Sequence, residues 1–432
     1  MHSVSLRWKP FYGWWVFLSA STALMIGFAL SAYALPVFYP ELVGTFHWPR
    51  ADVALGGSIK TLLVGLLAPL NGWIIDRKGA KAVLLAGVVT LAISLALLSG
   101  IASMWQYFLV CVFLGAGGSW THHFPTQLLV ANWFAKKRGL AIGILTASGG
   151  VGNILIPLIS ARLIKNYGWR EALLILPILL IVPFVTVALL ARNRPQDMGL
   201  LPDGDSEPAA AGPQLHPTGT HPSTKSMHST HGGRDSSLDW SVFKTTAFWI
   251  LLGVFFFSAW AQFSVWQHLV LFFRDEGFSP TVAASLLSLF LAGSTAGRFF
   301  SGPFADKFSA DTAVLLSIAL AGLAMVALVA AHTNAGIYLC VILFGMGEGG
   351  TVTSRPLLVF QHYGASGVGK LYGVATAMMT IGAFIGPVLS GHIHDRTGSY
   401  NLAVLLALIL TGVSVLLVIL LKRQKILAVS QP

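Results

Sequence analysis

The sequence predicts an all-α protein that crosses a membrane many times. Of its 432 residues, 55% are hydrophobic and only 10% are charged. Apolar runs of 18 residues or more recur along the chain, and a helix of about 20 residues crosses about 30 Å of hydrocarbon. The run AVLLAGVVTLAISLALLSGIA is continuously apolar, whereas the strands of a membrane barrel alternate apolar and polar residues. Helices satisfy their own backbone hydrogen bonds, so the fold class is all-α and polytopic.

Twelve apolar segments of sufficient length follow one another along the chain. They are expected to form transmembrane helices joined by short loops, with a single long interruption after the sixth helix. The predicted spans are 11–38, 51–75, 81–101, 104–131, 139–163, 169–191, 245–273, 280–304, 310–332, 336–359, 368–393 and 400–421.

The distribution of charge predicts the topology. The chain has 27 Lys and Arg against 16 Asp and Glu. Nineteen of the basic residues fall on the side that carries both termini and six on the other, with Lys60 and Arg298 within spans. Basic residues favour the cytoplasmic side, so both termini are expected there, in the inner membrane of a cell. The excess of basic residues is therefore explained by the orientation of the chain in the lipid bilayer, and it does not indicate a nucleic-acid partner.

The long interruption divides the chain into two halves. Residues 193–243 are rich in Pro, Gly, Ser and Thr and are predicted to form a disordered cytoplasmic linker. The linker contains histidines, but their irregular spacing defines no metal site, and no cofactor is predicted. Two six-helix bundles are expected on either side of it, over residues 1–192 and 244–432.

The two halves repeat a short motif after their second span. NGWIIDRKGAK follows span two and SGPFADKFSAD follows span eight. A glycine four residues before an aspartate is expected to let two helices pack closely at the membrane surface. These loops are predicted to stabilise one state of a gate, through residues Gly72, Asp76, Arg77, Gly79, Lys81, Gly302, Asp306 and Lys307.

These features resemble the major facilitator superfamily, whose members are rocker-switch transporters with a site between two pseudo-symmetric six-helix bundles. FYGWWV and WFAKKRGLAIGILTASG resemble the first-span and fifth-span signatures of its monocarboxylate transporter family. RNRPQDMGLLPDG, FRDEGFSP and RTGSYNLA resemble the bacterial branch with lactate-type carriers and oxalate/formate exchangers. The resemblance implies a transporter of small organic anions that works as a monomer.

Arg298 is the leading candidate for substrate binding. A central arginine costs about 2.5–3.5 kcal/mol on insertion scales, so a cavity or a partner must offset it. The equivalent position in the first repeat is Ala68, so the loop motif does not require a cation there. The guanidinium matches a carboxylate with two hydrogen bonds, and the resemblance implies that role for the eighth-span arginine. A permanent salt bridge or a snorkelling side chain is the alternative.

Two histidines in span four are further candidates. In GSWTHHFPTQ, His122 occupies the place of an asparagine that the family often carries. It is able to donate a hydrogen bond to a carboxylate and to titrate. On a helix, His122 and His123 point about 100° apart, so only one is expected to line a cavity. A histidine satisfied by neighbouring helices is the alternative.

Two acids are candidates for proton coupling beside His122. Glu348 lies among glycines within span ten and is an intramembrane acid, hence a candidate proton carrier or a partner of Arg298 or His122. Asp275, at the outer end of span seven, matches an acidic position of the bacterial branch. A plain loop charge is its alternative.

The resemblance also implies several cavity residues, and departures from the family limit the substrate. The expected lining residues are Tyr33, Phe124, Val352, Thr376 and Met379. Oxalate-type exchangers have a lysine where Met379 aligns, so one strong cation favours a singly charged anion. Many eukaryotic members have an aspartate where this chain has Ser294 and a span-one lysine where it has Tyr33.

The sequence therefore predicts a proton-coupled symporter of small monocarboxylates such as L-lactate or pyruvate. A proton-independent carboxylate exchanger and an anion sensor without transport remain alternatives. An enzyme is not expected, because no nucleophile, phosphate loop or metal-ligand cluster with suitable spacing is present.

Overall fold

The computed structural model describes residues 11–204, 240–330, 333–363 and 368–429. Within these ranges every regular element is helical, which confirms the all-α prediction. The α-helices of the first half are α1 Gly13–Thr22, α2 Leu35–Phe46, α3 Arg50–Leu66, α4 Ala68–Ser99, α5 Met104–Trp120, α6 His123–Trp133, α7 Arg138–Tyr167, α8 Trp169–Ile175 and α9 Ile181–Leu190. Those of the second half are α10 Thr246–Trp266, α11 Leu269–Asp275, α12 Pro280–Lys307, α13 Ala310–Ala330, α14 Asn334–Tyr363, α15 Val368–Thr397 and α16 Asn401–Val429.

Ten helical segments of the described chain are long and apolar enough to cross a membrane. Two predicted spans differ because they are interrupted. Span two consists of α3, 17 residues long, and the first part of α4, with a turn at Leu67 between them. Span four consists of α5, also 17 residues long, and α6, with a break at Thr121 and His122.

The contacts within the chain divide it into two compact units. Unit 1 comprises Met1–Glu41, Ile59–Gly212 and Ser279–Ser288. Unit 2 comprises Leu42–Ser58, Pro213–Phe278 and Leu289–Pro432. Unit 2 therefore includes a segment from the first half of the sequence, which contains the start of α3. Each unit has a buried apolar core, centred on α1, α4, α6 and α7 in unit 1 and on α10, α13, α14 and α16 in unit 2.

The beginning of the predicted linker packs on unit 1. Residues 193–204 form two short 3-10 turns, Pro195–Met198 and Pro202–Gly204. The Asp203 carboxylate accepts hydrogen bonds from the backbone N–H groups of Ala135 (3.0 Å) and Lys136 (2.6 Å). Residues 205–239 of the linker lie outside the described residues.

Glycines allow the closest helix contacts in both units. In unit 1, a Cβ added to Gly152 of α7 would lie 1.7 Å from the carbonyl oxygen of Met25. In unit 2, a Cβ added to Gly349 of α14 would lie 1.8 Å from the carbonyl oxygen of Ser294 on α12. Only glycine permits these approaches, so α12 and α14 are in backbone contact at this level.

Span one departs from α-helical geometry where it meets span four. Ala23–Phe28 and Leu30–Ala34 are π-helical, and such segments leave backbone carbonyls without their usual partners. The Lys60 ammonium donates to two of these carbonyls, those of Ser31 (2.7 Å) and Ala32 (3.1 Å). The Lys60 side chain is thereby buried with main-chain partners.

The repeated loop motif has the same surface pattern in both halves. Residues 71–80 and 301–310 show the same order of buried, half-buried and exposed positions. In the first copy, Gly79 has φ +81° and ψ 157°, a region open only to glycine. The Asn193 side chain accepts a hydrogen bond from the Lys81 backbone N–H (2.9 Å), and the Lys81 ammonium donates to the Ala188 carbonyl (2.7 Å) at the end of α9.

The remaining motif residues are more exposed. The Arg77 guanidinium lies 4.0 Å from the centre of the Trp73 ring, and the Lys307 ammonium lies 5.5 Å from that of Phe308. Asp76 and Asp306 are exposed at equivalent positions.

The close packing predicted at Gly72 and Gly302 is not observed. No described neighbouring atom lies within 4 Å of a Cβ added to either glycine. The helices approach one another elsewhere, at glycines such as Gly152 and Gly349. The motif glycine with a conformational requirement is Gly79.

We expect Gly79→Ala to destabilise the protein by about 1–3 kcal/mol, because alanine disfavours this backbone conformation. Its Cβ would also lie 2.1 Å from the Asn193 amide, which holds the Lys81 N–H. The matched control is Gly72→Ala, where space is open. Thermal unfolding midpoints in detergent check this, and an equal effect of the two substitutions would contradict it.

Candidate functional site

An aromatic cluster in unit 1 joins the irregular parts of spans one and four. The Phe28 ring centre lies 6.1 Å from that of Tyr33, 4.8 Å from His122 and 5.1 Å from His123. Tyr33 belongs to the π-helical stretch, and His122 precedes α6 with an extended backbone. Interrupted helices and π-helical turns often occur at binding sites in membrane proteins.

The predicted separation of the two histidines is wrong. His122 has ψ 177° and is not helical, so the 100° rule for neighbouring helical residues does not apply. Both rings pack against Phe28, and they lie 5.1 Å from each other. The pair is therefore a joint candidate for hydrogen bonding.

Two of the predicted lining residues have more open surroundings. Phe124, the second residue of α6, has 46% of its surface exposed, and Val352 on α14 is 37% exposed. Their exposure allows contact with a substrate or with lipid, so their predicted lining role stays a prediction.

Arg298 lies on α12 in unit 2, where α12 and α14 pack closely. The Thr353 hydroxyl on α14 donates to the Arg298 carbonyl at 3.4 Å. The arginine is half-buried. The level of Arg298 in the membrane is therefore close to that of Thr353.

Glu348 is a buried acid near Arg298. It is 9% exposed, and its carboxylate accepts a hydrogen bond from the Ser294 hydroxyl at 2.6 Å. Ser294 lies one helical turn before Arg298 on α12. Because a hydroxyl both donates and accepts, Ser294 suits the ionised and the protonated form of Glu348 alike. This geometry is compatible with a proton carrier.

Arg355 is a buried cation that the sequence analysis missed. The charge count groups it with the cytoplasmic residues although it falls within predicted span 336–359, and the structure buries it within α14 with 2% exposure. Its guanidinium donates to the Ser258 hydroxyl (2.8 Å) and to the Met379 sulfur (3.2 Å), and its carbon lies 5.7 Å from the Phe255 ring centre. The available signal is its position eight residues before the end of a 30-residue apolar helix.

Arg355 overturns the argument for a single strong cation. Met379 was aligned with a lysine of oxalate-type exchangers, and the structure places the guanidinium of Arg355 against Met379. A second cation therefore lies beside the position where the lysine was missing. Thr376, three residues before Met379 on α15, shares its helix face.

Asp275 belongs to an ion cluster at the helix ends predicted to face outside. Both of its carboxylate oxygens accept from the guanidinium of Arg50, at 2.5 and 2.7 Å. His394 lies 3.3 Å from the same carboxylate, and the Tyr400 hydroxyl lies 3.1 Å from Arg50. Asp275 is therefore a structural partner of Arg50 and not an isolated loop charge.

The same cluster fixes the start of α3. The Asp395 carboxylate accepts from the backbone N–H groups of Arg50 and Ala51, both at 2.9 Å, which satisfies donors at a helix N-terminus. Burial by itself lowers the pKa of Arg50, but its hydrogen bonds to Asp275 and Tyr400 raise the pKa above the usual value. The guanidinium therefore stays charged.

His268 contacts this cluster through Tyr400. One ring nitrogen lies 3.0 Å from the Tyr400 hydroxyl and the other 2.8 Å from the Pro387 carbonyl. A histidine with both nitrogens engaged in the buried interior has a structural role. Sequence reasoning did not find Arg50, because its partners lie more than 200 residues away in the chain.

The comparison with family models decides the fold family. The model of the Major Facilitator Superfamily matches residues 20–279 and 269–430, which is nearly the whole chain. The chain belongs to the major facilitator superfamily. The resemblance to this superfamily is confirmed.

Relatives of this superfamily member include transporters of different kinds. Monocarboxylate transporter 13 of Bos taurus is 26% identical over 94% of this chain and 89% of that protein. The aspyridones efflux protein apdF of Emericella nidulans is 23% identical over 90% and 73%. A bacterial homologue of the human lysosomal transporter Spinster, in an inward-facing, unoccupied conformation, has a TM-score of 0.72 at 16% identity, covering 96% of this chain and 98% of that one. This last likeness confirms the fold alone.

We expect the Arg50 and Asp275 substitutions to be coupled in stability. Asp275 is 36% exposed and Arg50 15%, so solvent screening limits the ion pair to about 0.5–1 kcal/mol. Arg50→Gln and Asp275→Asn should each lower the thermal midpoint of this transporter, and the double variant should fall by less than the sum. Additive effects would contradict the pairing. Arg274→Gln, beside Asp275, is the matched control.

Proposed function

We propose that this protein is a secondary transporter that carries small organic carboxylates together with a proton. The observation that supports this best is Arg298, a cation kept on a span of a superfamily transporter one turn from a buried acid-hydroxyl pair. A cation inside a membrane protein usually marks the path of an ion or a substrate.

The guanidinium suits a carboxylate because its planar fork forms two parallel hydrogen bonds with the two oxygens. Monocarboxylates such as L-lactate and pyruvate are the reference substrates of this proposal. The printed names of several relatives, among them monocarboxylate transporters 13, 12 and 2, support this class.

For the proton, Glu348 is the preferred carrier. Protonation of Glu348 would remove a buried negative charge. The carboxyl group would keep its hydrogen bond to Ser294, so no contact would be lost. Asp275 and His122 remain candidates. Protonation of Asp275 would weaken its ion pair with Arg50, while Asp395 would still bind the backbone N–H groups at the start of α3.

The transport cycle of this proposal is alternating access by a rocker-switch, as the superfamily implies. The repeated loop motifs, with Gly79 and Lys81 holding the end of α9 in the first copy, stabilise one state of the cycle. The carrier works as a monomer in the cell membrane with both termini in the cytoplasm.

A carboxylate exchanger that needs no proton is the second candidate function. Asp275 forms an ion pair with Arg50, and in an exchanger its role would be this structural contact. In an exchanger, Glu348 would stay protonated or ionised throughout the cycle.

Addition of lactate to sealed vesicles that contain the protein and an internal pH dye should cause saturable internal acidification. Arg298→Ala should abolish the signal, and Arg298→Lys should restore only part of it, because an ammonium lacks the planar fork. Arg162→Gln, an exposed arginine of unit 1, is the matched control and should transport normally.

Two results would contradict this assignment. Normal lactate transport by Arg298→Ala would exclude Arg298 as the substrate-binding cation. Entry of labelled lactate only into vesicles preloaded with carboxylate, without a pH change, would favour exchange.

Glu348→Gln should separate proton movement from anion binding. We expect pH-driven lactate uptake to fall by roughly tenfold or more, while exchange of internal for external lactate continues, because glutamine keeps the Ser294 hydrogen bond without titrating. Ser294→Ala, which retains the acid, is the comparison. Proton-coupled uptake that survives Glu348→Gln would move the proton role to Asp275 or His122.

A further inference from the structure

We propose that Arg355 forms a second anion subsite, which binds the second acidic group of a small dicarboxylate. The inference rests on the proposed function, because Arg298 binds the first carboxylate. The subsite is formed by α10, α14 and α15 within unit 2. Its polar groups are the Arg355 guanidinium and the hydroxyls of Ser258 and Thr376.

The contacts around the buried Arg355 guanidinium favour an anion at this position. The side chain is 2% exposed, and its hydrogen-bond partners are a neutral hydroxyl and a thioether. The thioether of Met379 is a weak acceptor, and the nearby Phe255 ring is uncharged. Within the described part of the chain no carboxylate lies within salt-bridge distance of Arg355. A buried positive charge whose only hydrogen-bond acceptors are a hydroxyl and a thioether is costly, and an anion would offset that cost.

Two buried polar atoms in this region have no hydrogen-bond partner among the described residues. Among the described residues, neither the Nε of Arg355 nor the hydroxyl of Thr376 has a hydrogen-bond partner. Thr376 shares a face of α15 with Met379, which contacts Arg355. Nε and a terminal nitrogen form one edge of the guanidinium, and that edge fits a carboxylate.

Glu348, an acid on the same face of α14, attracts the Arg355 charge, but within the described chain it forms no salt bridge with Arg355. Glu348 lies seven residues earlier, about 10 Å along the helix axis, and its carboxylate is held by Ser294. Lys60 of unit 1 shows the contrasting case, a buried cation whose ammonium is satisfied by two main-chain carbonyls. Within the described ranges the Arg355 guanidinium has no such main-chain acceptor.

The two arginines also lie at a similar depth in the membrane. Thr353, which donates to the Arg298 carbonyl, is two residues from Arg355, about 3 Å along the axis of α14. Arg298 and Arg355 therefore lie at nearly the same depth on neighbouring helices. A monocarboxylate engages Arg298 alone, whereas an acid with two carboxylates engages both cations.

The test is titration calorimetry of the purified full-length protein with butyrate and with malonate, succinate and glutarate. We expect at least one dicarboxylate to bind roughly tenfold tighter than butyrate, since hydrogen bonds to a charged group are added. Arg355→Gln should remove this advantage and leave butyrate affinity within about twofold. Arg298→Gln should weaken both ligands, and Arg162→Gln should change neither.

Arg355→Lys provides a second variant that keeps the charge and should retain part of the dicarboxylate affinity. Equal weakening of butyrate and dicarboxylates by Arg355→Gln would place both arginines on one carboxylate and overturn the second subsite. Unchanged affinities in a folded Arg355→Gln protein would also overturn it. If dicarboxylates bind no tighter than butyrate to the unaltered protein, the subsite is refuted while the proposed function stands. If no carboxylate binds, the proposed function fails as well.

Discussion

The burial of positive charge inside apolar helices is the constraint on which this structure depends. Lys60, Arg298 and Arg355 lie within helices of the membrane domain, where an uncompensated charge is costly. The Lys60 ammonium donates hydrogen bonds to main-chain carbonyls of the π-helical part of span one, and these bonds offset the cost. Arg355 has a hydroxyl and a thioether instead. The first arrangement is complete within the protein, whereas the second leaves donors for an anion.

Backbone irregularities and glycine contacts position these groups. The glycine Gly349 lets α14 approach the α12 backbone, and this contact brings Glu348 to Ser294 and Thr353 to Arg298. In unit 1, the break before α6 brings both histidines to Phe28. A regular helix at His122 would direct the histidines elsewhere. The polar chemistry of the transporter therefore depends on a backbone break in unit 1 and on a close glycine contact in unit 2.

Composition and periodicity predicted much of this fold, because long apolar runs and the bias of basic residues are local properties of the sequence. The repeat around Asp76 and Asp306 and the span signatures led to the superfamily. Arg298 stood out as a charge in the middle of an apolar run. Arg355 lies at a similar distance from the end of its helix, but the charge count grouped it with the cytoplasmic residues, so its burial was missed.

Other features could not be read from the sequence because they depend on distant partners. Arg50 pairs with Asp275 across more than 200 residues, and the backbone break at His122 has no glycine at that position. The expected role of Gly72 failed because the sequence shows a small residue without showing whether a neighbour approaches it. Local patterns thus predict helices well and side-chain partners poorly.

The measurement that tests the central claim most directly is an experimental structure of the protein with a bound small carboxylate. We expect carboxylate oxygens within about 3 Å of the Arg298 guanidinium nitrogens. A carboxylate bound away from Arg298, for example at Lys60 with its main-chain bonds broken, would contradict the account.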